Sequence, residues 1–240
     1  MKKKYPKKAG LEPILRTAFA FWSRTLFYQV SYSLLFFSLF FLGYFYLFKN
    51  FGLWDEISQY SDLMQTDFPA FNKKMEAVAQ LPQAQGFILG IFFLLAVISP
   101  LNVGFYNIYN KVEQGEIISI NDLFAGYRGL TFFKFLGFYL FWLIVFSYAN
   151  ALLLLGVVWV FLTVFSVPLM YFKNLNTIQG IKLSFTILRQ DLPTILVAVV
   201  VAILFSLSGL ILFGFGFLFT FPFWHAMIYT LYRHYFSATE

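Results

Sequence analysis

Cysteine is absent from the 240-residue chain, which excludes disulfides, thiolate metal sites and cysteine nucleophiles. Charge is scarce: Asp, Glu, Lys and Arg make up 12% of the residues, against about 25% in an average soluble domain. A globule of this size has too much surface to cover with so few ionic groups, so a water-soluble enzyme is excluded. Disorder is excluded as well, because it requires low hydrophobicity and high net charge. Histidine is nearly missing, with only His225 and His234. No HExxH spacing exists, and no acidic residue lies within the apolar runs. The sequence therefore offers no ligand set for a metal and no carboxylate relay for proton coupling. Walker and GxSxG motifs are missing too, and Gly214-Phe215-Gly216 lacks the continuation of a dinucleotide fingerprint. No cofactor and no catalytic residue is expected.

What the chain has instead is apolar length: 60% of its residues are hydrophobic and 23% aromatic. A bilayer-crossing helix needs about 20 such residues. Residues 26–48 form one run and 87–110 a second, which contains Pro100. The first begins too late and is too long for a signal-peptide core. Two longer runs, 132–172 and 192–232, are 41 residues each. As single helices they would reach about 60 Å through a core of about 30 Å, so each reads as a helical hairpin. The first turn is placed at 147–150, where Asn150 is the strongest polar break, and the second within 206–216. The expected architecture is an all-α polytopic membrane bundle of six transmembrane helices. Residues 1–25 form a basic tail and a cytoplasmic interfacial helix, and 26–240 the membrane domain, with an extracytoplasmic helical insertion at 49–86.

Orientation follows from the Lys/Arg bias. With both termini on one side, fourteen Lys/Arg residues fall on that side and only Lys49, Lys73 and Lys74 on the other, which makes the termini cytoplasmic under the positive-inside rule. The net charge of +6 is therefore assigned to orientation and anionic lipid rather than to nucleic acid. Candidate headgroup contacts are Lys2, Lys3, Lys4, Lys7, Lys8, Arg16, Arg24 and Arg233.

Three cytoplasmic stretches show helical periodicity without crossing length. One places Leu11, Ile14, Leu15, Ala18, Phe19 and Trp22 at spacings of three and four. A second runs over 122–131, with Asp122 as its cap and Leu123, Phe124, Tyr127 and Leu130 on one face. A third covers 174–189, with Leu175, Ile178, Ile181, Phe185 and Leu188 on one face, and Asp191 capping the helix that follows. In the outer loop, Trp54, Ile57, Tyr60 and Met64, then Phe71, Met75 and Val78, predict a small helical cap. The chain also reads as three rounds of one unit: an amphipathic helix, an outgoing crossing, and a returning crossing that holds a proline. Those prolines are Pro100, Pro168 and Pro222. Gly86 and Gly90, and Gly180 with Ser184, are small-residue pairs of the kind that mark close packing.

An ionisable residue inside a crossing is a functional candidate by default, and His225 is one. Aligning the returning helices on Pro100 and Pro222 puts Asn102 and His225 at matching depth, so the two form a candidate intramembrane polar site. The alternatives are that His225 bonds a carbonyl freed by Pro222, and that Asn102 makes an ordinary interhelical hydrogen bond of about 0.6 kcal/mol.

Pro100-Leu-Asn-Val-Gly104, Gln114-Gly-Glu116, Asp122-Leu-Phe-Ala-Gly-Tyr127, Val167-Pro-Leu169, Ile181-Lys-Leu-Ser184, Phe221-Pro222 and Tyr232-Arg233 stand in one order along the chain. In this the region 87–235 resembles the six-helix bacterial inner-membrane proteins that include the YciC-like proteins and the membrane domain of some glycerophosphoryl diester phosphodiesterases. The resemblance implies a multi-pass inner-membrane protein of unassigned activity, and it carries over no catalytic residue. The insertion at 49–86 departs from the short loop of that family. The expected function is that of a non-enzymatic accessory, scaffold or lipid-associated protein, whose partners are the bilayer and a membrane protein. The alternative is a facilitator for a neutral or amphiphilic solute.

Overall fold

The computed structural model describes residues 10–152, 154–211 and 214–236, and among them it is helical throughout, without a strand. The helices are α1 (Leu11–Arg24), α2 (Leu26–Asn50), α3 (Leu53–Ser58), α4 (Ser61–Thr66), α5 (Phe68–Ala79), α6 (Pro82–Ile98) and α7 (Asn102–Gln114). They continue as α8 (Leu130–Asn150), α9 (Leu154–Thr163), α10 (Ser166–Phe172), α11 (Thr177–Leu188), α12 (Leu192–Ser208), α13 (Phe217–Thr220) and α14 (Phe223–Phe236). Short 3₁₀ segments cover Ser99–Leu101, Ile120–Tyr127 and Gly209–Ile211. The chain divides into two compact units, one made of residues up to Leu35 together with those from Ser99 on, the other of Phe36–Ile98.

Five stretches among the described residues are long and apolar enough to cross a bilayer: Leu26–Asn50, Pro82–Gln114, Leu130–Asn150, Leu154–Phe172 and Leu192–Ile211. Their outward faces carry large apolar side chains; Phe27 is 70% exposed, Leu42 71% and Leu154 79%. Soluble monomers do not display apolar surface on that scale, and these are the marks of a chain built for lipid. The last expected crossing is not one continuous helix, because a turn at Phe221–Pro222 separates α13 from α14. The hairpin turn expected at 147–150 lies one residue further on, since α8 runs through Asn150 and the turn opens at Ala151.

All three returning segments are interrupted at or beside their proline. Pro100 lies in the 3₁₀ turn between α6 and α7, Pro168 is the third residue of α10 just after the α9–α10 break, and Pro222 sits between α13 and α14. A proline cannot donate to the carbonyl four residues earlier, and at depth in a membrane that carbonyl needs another donor. At Pro222 the orphan is Leu218, and the Ser33 hydroxyl donates to its oxygen at 2.7 Å. The neighbouring Phe219 carbonyl accepts from the indole N–H of Trp22 at 2.8 Å. At the α9–α10 break, the Phe165 amide donates to the Ser184 hydroxyl at 3.2 Å.

The amphipathic segments behave in three different ways. α1 forms as its periodicity predicts, packs on α14 and α12, and buries Ile14 and Ala18. The stretch expected as a helix over 122–131 with Asp122 as cap is instead a 3₁₀ segment over Ile120–Tyr127. Its cap is Ser119, and Asp122 is the reciprocal partner at the third position of a capping box. Three residues per turn do not build the expected stripe: Leu123 is fully buried, but Phe124 is 41% exposed and Leu130 85%. α11 forms with Asn176 as its cap and buries Leu188 of the predicted apolar row, but its other buried residues are Gly180, Ser184 and Ile187, while Ile178 and Phe185 of that row point outward. Small residues face the bundle because they permit close approach, and apolar ones can face lipid without cost.

Within the second unit the helices expected over 49–86 form as α3, α4 and α5. Leu53, Val78 and Ala84 are its buried centre, with Phe48, Phe51, Ile57, Tyr60 and Met75 packed around them. Trp54 and Met64, predicted on the same row as Ile57, are each 60% exposed; Met64 lies beyond the break at Gln59–Tyr60, which ends the periodic row. Gly86 and Gly90 face Phe51 and Leu47 of the same unit, so this small-residue pair serves helix packing.

Candidate functional site

Asn102 opens α7 directly after the Pro100 turn, and His225 lies in the first turn of α14 directly after Pro222. The matching positions after two proline breaks bring both residues to the wall of one cavity of about 290 Å³ in the first unit. Its apolar lining comes from Phe138, Trp142, Leu143, Val164, Val167 and Trp224. Its polar lining is Asn102, His225, Tyr106, Tyr139, Thr163 and Ser99, all uncharged residue types apart from the imidazole. Among the described residues no Asp, Glu, Lys or Arg lines it.

The His225 ring is 8% exposed and caged by aromatics. It stacks on Phe105 at 5.1 Å between centroids, and the rings of Tyr106 and Tyr32 stand edge-on at 6.0 and 5.8 Å. Its Nδ1 is buried without a hydrogen-bond partner among the described residues. The reading in which His225 ties off a carbonyl freed by Pro222 is therefore overturned. Ser33 and Trp22 have taken the freed carbonyls, which leaves the imidazole uncommitted. Asn102 is held by two phenols: its carbonyl accepts from the Tyr32 hydroxyl and its amide donates to the Tyr139 hydroxyl at 3.1 Å. On the far wall, the Trp142 indole donates to the Thr163 hydroxyl at 2.8 Å, and Thr163 donates to the Trp159 carbonyl at 2.8 Å.

Below this site a second constellation fixes α7 in place. Asp122, 2% exposed, receives Lys111 Nζ at 2.9 Å, the Asn107 amide at 3.0 Å and the backbone N–H of Ser119 at 2.9 Å, with Arg128 at 3.7 Å. Burial on its own would raise the pKa of this carboxyl, but Lys111 and the Ser119 donors outweigh it and hold the group below the usual carboxylate range. Asn107 in turn accepts from the Tyr171 hydroxyl at 3.1 Å, which ties α10 into the same network. Lys134, the one charge inside the long apolar run 132–172, donates to the Met170 carbonyl at 2.8 Å and to Asn174 at 2.9 Å. It thus satisfies the carboxyl end of α10, where a cation is favoured.

The expected headgroup contacts are dispersed. Lys2, Lys3, Lys4, Lys7 and Lys8 lie outside the described residues. Arg16 is exposed and pairs with Glu12 four residues earlier at 3.2 Å, and Arg24 is exposed at the end of α1. Arg233 turns onto Glu113 at 2.9 Å, and Glu113 also accepts from the Tyr229 hydroxyl at 2.7 Å. Among the described residues no group of three potential metal ligands gathers.

Sequence reasoning missed Tyr106 and Tyr139 as cavity residues. The signal for Tyr106 was available, since it follows Asn102 by four positions and so shares its helix face. Tyr139 depends on how α8 packs beside α7, and no local pattern encodes that. Compared with protein-family models, curated proteins and solved structures, the chain matches none.

Proposed function

We propose that this chain is a non-enzymatic membrane protein that acts by binding, as a lipid-associated accessory or scaffold subunit. The observation that carries the reading is the cavity itself. It has an apolar and aromatic wall with a few convergent uncharged polar groups, the usual make-up of a small-molecule site, and no nucleophile–base pair or carboxylate dyad beside it to make a reaction centre. The alternative, a facilitator for a neutral or amphiphilic solute, draws on the same uncharged lining.

The sixth crossing is assigned to 217–236, where α13 and α14 together carry no charge before Arg233. Pro222 interrupts that run without ending it. Six crossings return the carboxyl terminus to the side of the amino terminus. Fourteen cationic residues on that side against three on the other support a cytoplasmic placement of both. The resemblance of 87–235 to the YciC-like proteins supports a bacterial inner membrane. On this placement Arg16 and Arg24 lie at the anionic headgroups. Alkaline phosphatase, which folds only outside the cytoplasm, is expected to be inactive when fused at the carboxyl terminus and active when fused after Asp67. Strong activity of the carboxyl-terminal fusion overturns the topology.

The functional reading is tested by extracting the full chain in native lipid nanodiscs and weighing what comes with it by mass spectrometry. A stoichiometric membrane protein supports the scaffold role, and a retained amphiphile supports lipid association. A preparation free of both overturns the proposal.

A further inference from the structure

The hydrogen-bonding groups around the cavity are out of balance. Asn102 commits its carbonyl to Tyr32 and one N–H to Tyr139, which leaves its second N–H without a described partner. Tyr139 accepts from Asn102, and its own O–H donates to no described residue. The Tyr106 hydroxyl has no partner among the described residues, although the residue is 3% exposed. Neither ring nitrogen of His225 is bonded among them, and Nδ1 is fully buried. A neutral imidazole presents one donor and one acceptor. The wall therefore holds four uncommitted donors, on Asn102, Tyr106, Tyr139 and His225, against the imine nitrogen and the remaining lone pairs of the Tyr106 and Tyr139 oxygens. Trp142 and Thr163 are already satisfied by each other and by Trp159.

Buried donors left unmade cost about 1–3 kcal/mol each, so a cavity this rich in them is complementary to a molecule that brings acceptors. The lining has no charged side chain, and an ion would enter it without a counter-charge. Carboxylates and phosphates would be held by neutral donors alone and fit less well than an uncharged acceptor, and ammonium groups bring no acceptor at all. The remaining wall, Phe138, Leu143, Val164, Val167 and Trp224, suits hydrocarbon. At about 290 Å³ the space sits at the lower edge of the range of about 300–1,000 Å³ for small-molecule sites. That is room for one small molecule or one acyl arm, and too little for a whole diacyl lipid.

We infer that the cavity binds an uncharged, mainly apolar molecule through a carbonyl oxygen, as in an ester or ketone, which accepts from His225 and Tyr106 while its chain lies against Phe138 and Leu143. The inference rests on the binding role proposed above and specifies its ligand chemistry.

The test uses the purified full chain in detergent and a medium-chain methyl ester bearing a photoactivatable diazirine, with adducts mapped by mass spectrometry. Labelling is expected in peptides covering 138–143 and 160–167, and excess unlabelled methyl ester is expected to suppress it. The alkane of matched length is expected to compete about a hundredfold less well, the equivalent of two hydrogen bonds. The fatty carboxylate is expected not to compete. His225→Phe and Tyr106→Phe, which keep the rings, are each expected to weaken competition by the ester about tenfold and to leave that by the alkane unchanged. Suppression by diacylglycerol as well as by the methyl ester assigns the carbonyl to a bilayer lipid; suppression by the methyl ester alone assigns it to a free molecule. Either result supports the shared chemistry. Equal competition by ester and alkane overturns the inference, as does parallel loss of both in the two variants. A lipid retained in nanodiscs with no label in these peptides overturns the carbonyl site and leaves lipid association standing.

Discussion

Alanine at Gly126 is expected to destabilise the protein by about 3 kcal/mol, the upper end of what overpacking usually costs. A β-carbon there would land on the carbonyl of Pro100. Side chains can rotate away from an intruding methyl; a backbone carbonyl in a tight turn cannot. The converse contact lies one layer away, where a β-carbon at Gly104 would strike the backbone of Leu123. The two glycines seat the 3₁₀ segment Ile120–Tyr127 on α7 and on the turn that precedes it. That turn also aims Asn102 at the cavity, so Gly126→Ala is expected to lower ligand retention together with the thermal midpoint measured in detergent. Gly137→Ala is the control. Gly137 lies within α8 and a β-carbon there meets open space, so its replacement is expected to be neutral or to stabilise by up to about 1 kcal/mol. A Gly126→Ala protein that melts with the parent would show that the turn adjusts freely.

Asp122→Asn is expected to cost a similar amount, about 3 kcal/mol, because it breaks a nearly buried ion pair and leaves Lys111 facing a neutral amide. The effect carries a pH signature. The folded carboxyl titrates below its unfolded value, so its stabilising contribution is complete above about pH 4. It is lost as the pH falls through the unfolded and then the folded value. Unfolding midpoints of the parent protein are therefore expected to decline on the acid side more steeply than those of Asp122→Asn. Equal acid slopes in the two proteins would mean that another carboxyl governs that decline. Because Asn107 links Asp122 to Tyr171, the substitution is also expected to loosen α10 against α7, visible as faster amide exchange around residues 166–172.

The residue types that decide local geometry were readable in the sequence. Apolar length announced α2, α8 and α12; Asn150 and the 206–216 stretch located the hairpin turns to within a residue or two. The three prolines mark three breaks, and aligning two of them pairs Asn102 with His225. What local patterns could not supply were partners remote in the chain. Ser33 reads as one of several serines in an apolar run until Leu218 loses its donor 185 positions later. Asp122 reads as a helix cap, and the Ser119-x-x-Asp122 spacing of a capping box was present in the sequence. Lys111, eleven positions earlier, showed nothing to connect it with that box. The inward face of α11 was misread for a physical reason. The expectation that apolar residues point to the centre belongs to water, and a helix beside lipid gains more from placing Gly180 and Ser184 against its neighbours.

The bonds from Trp22 and Ser33 to the Phe219 and Leu218 carbonyls span 197 and 185 positions. They join α1 and α2 to α13, elements that lie far apart along the chain. The first compact unit therefore closes only when Trp22 and Ser33 have met carbonyls that remote in sequence. Contacts this remote in sequence slow folding, whereas the second unit, whose 63 residues are contiguous, needs only shorter closures.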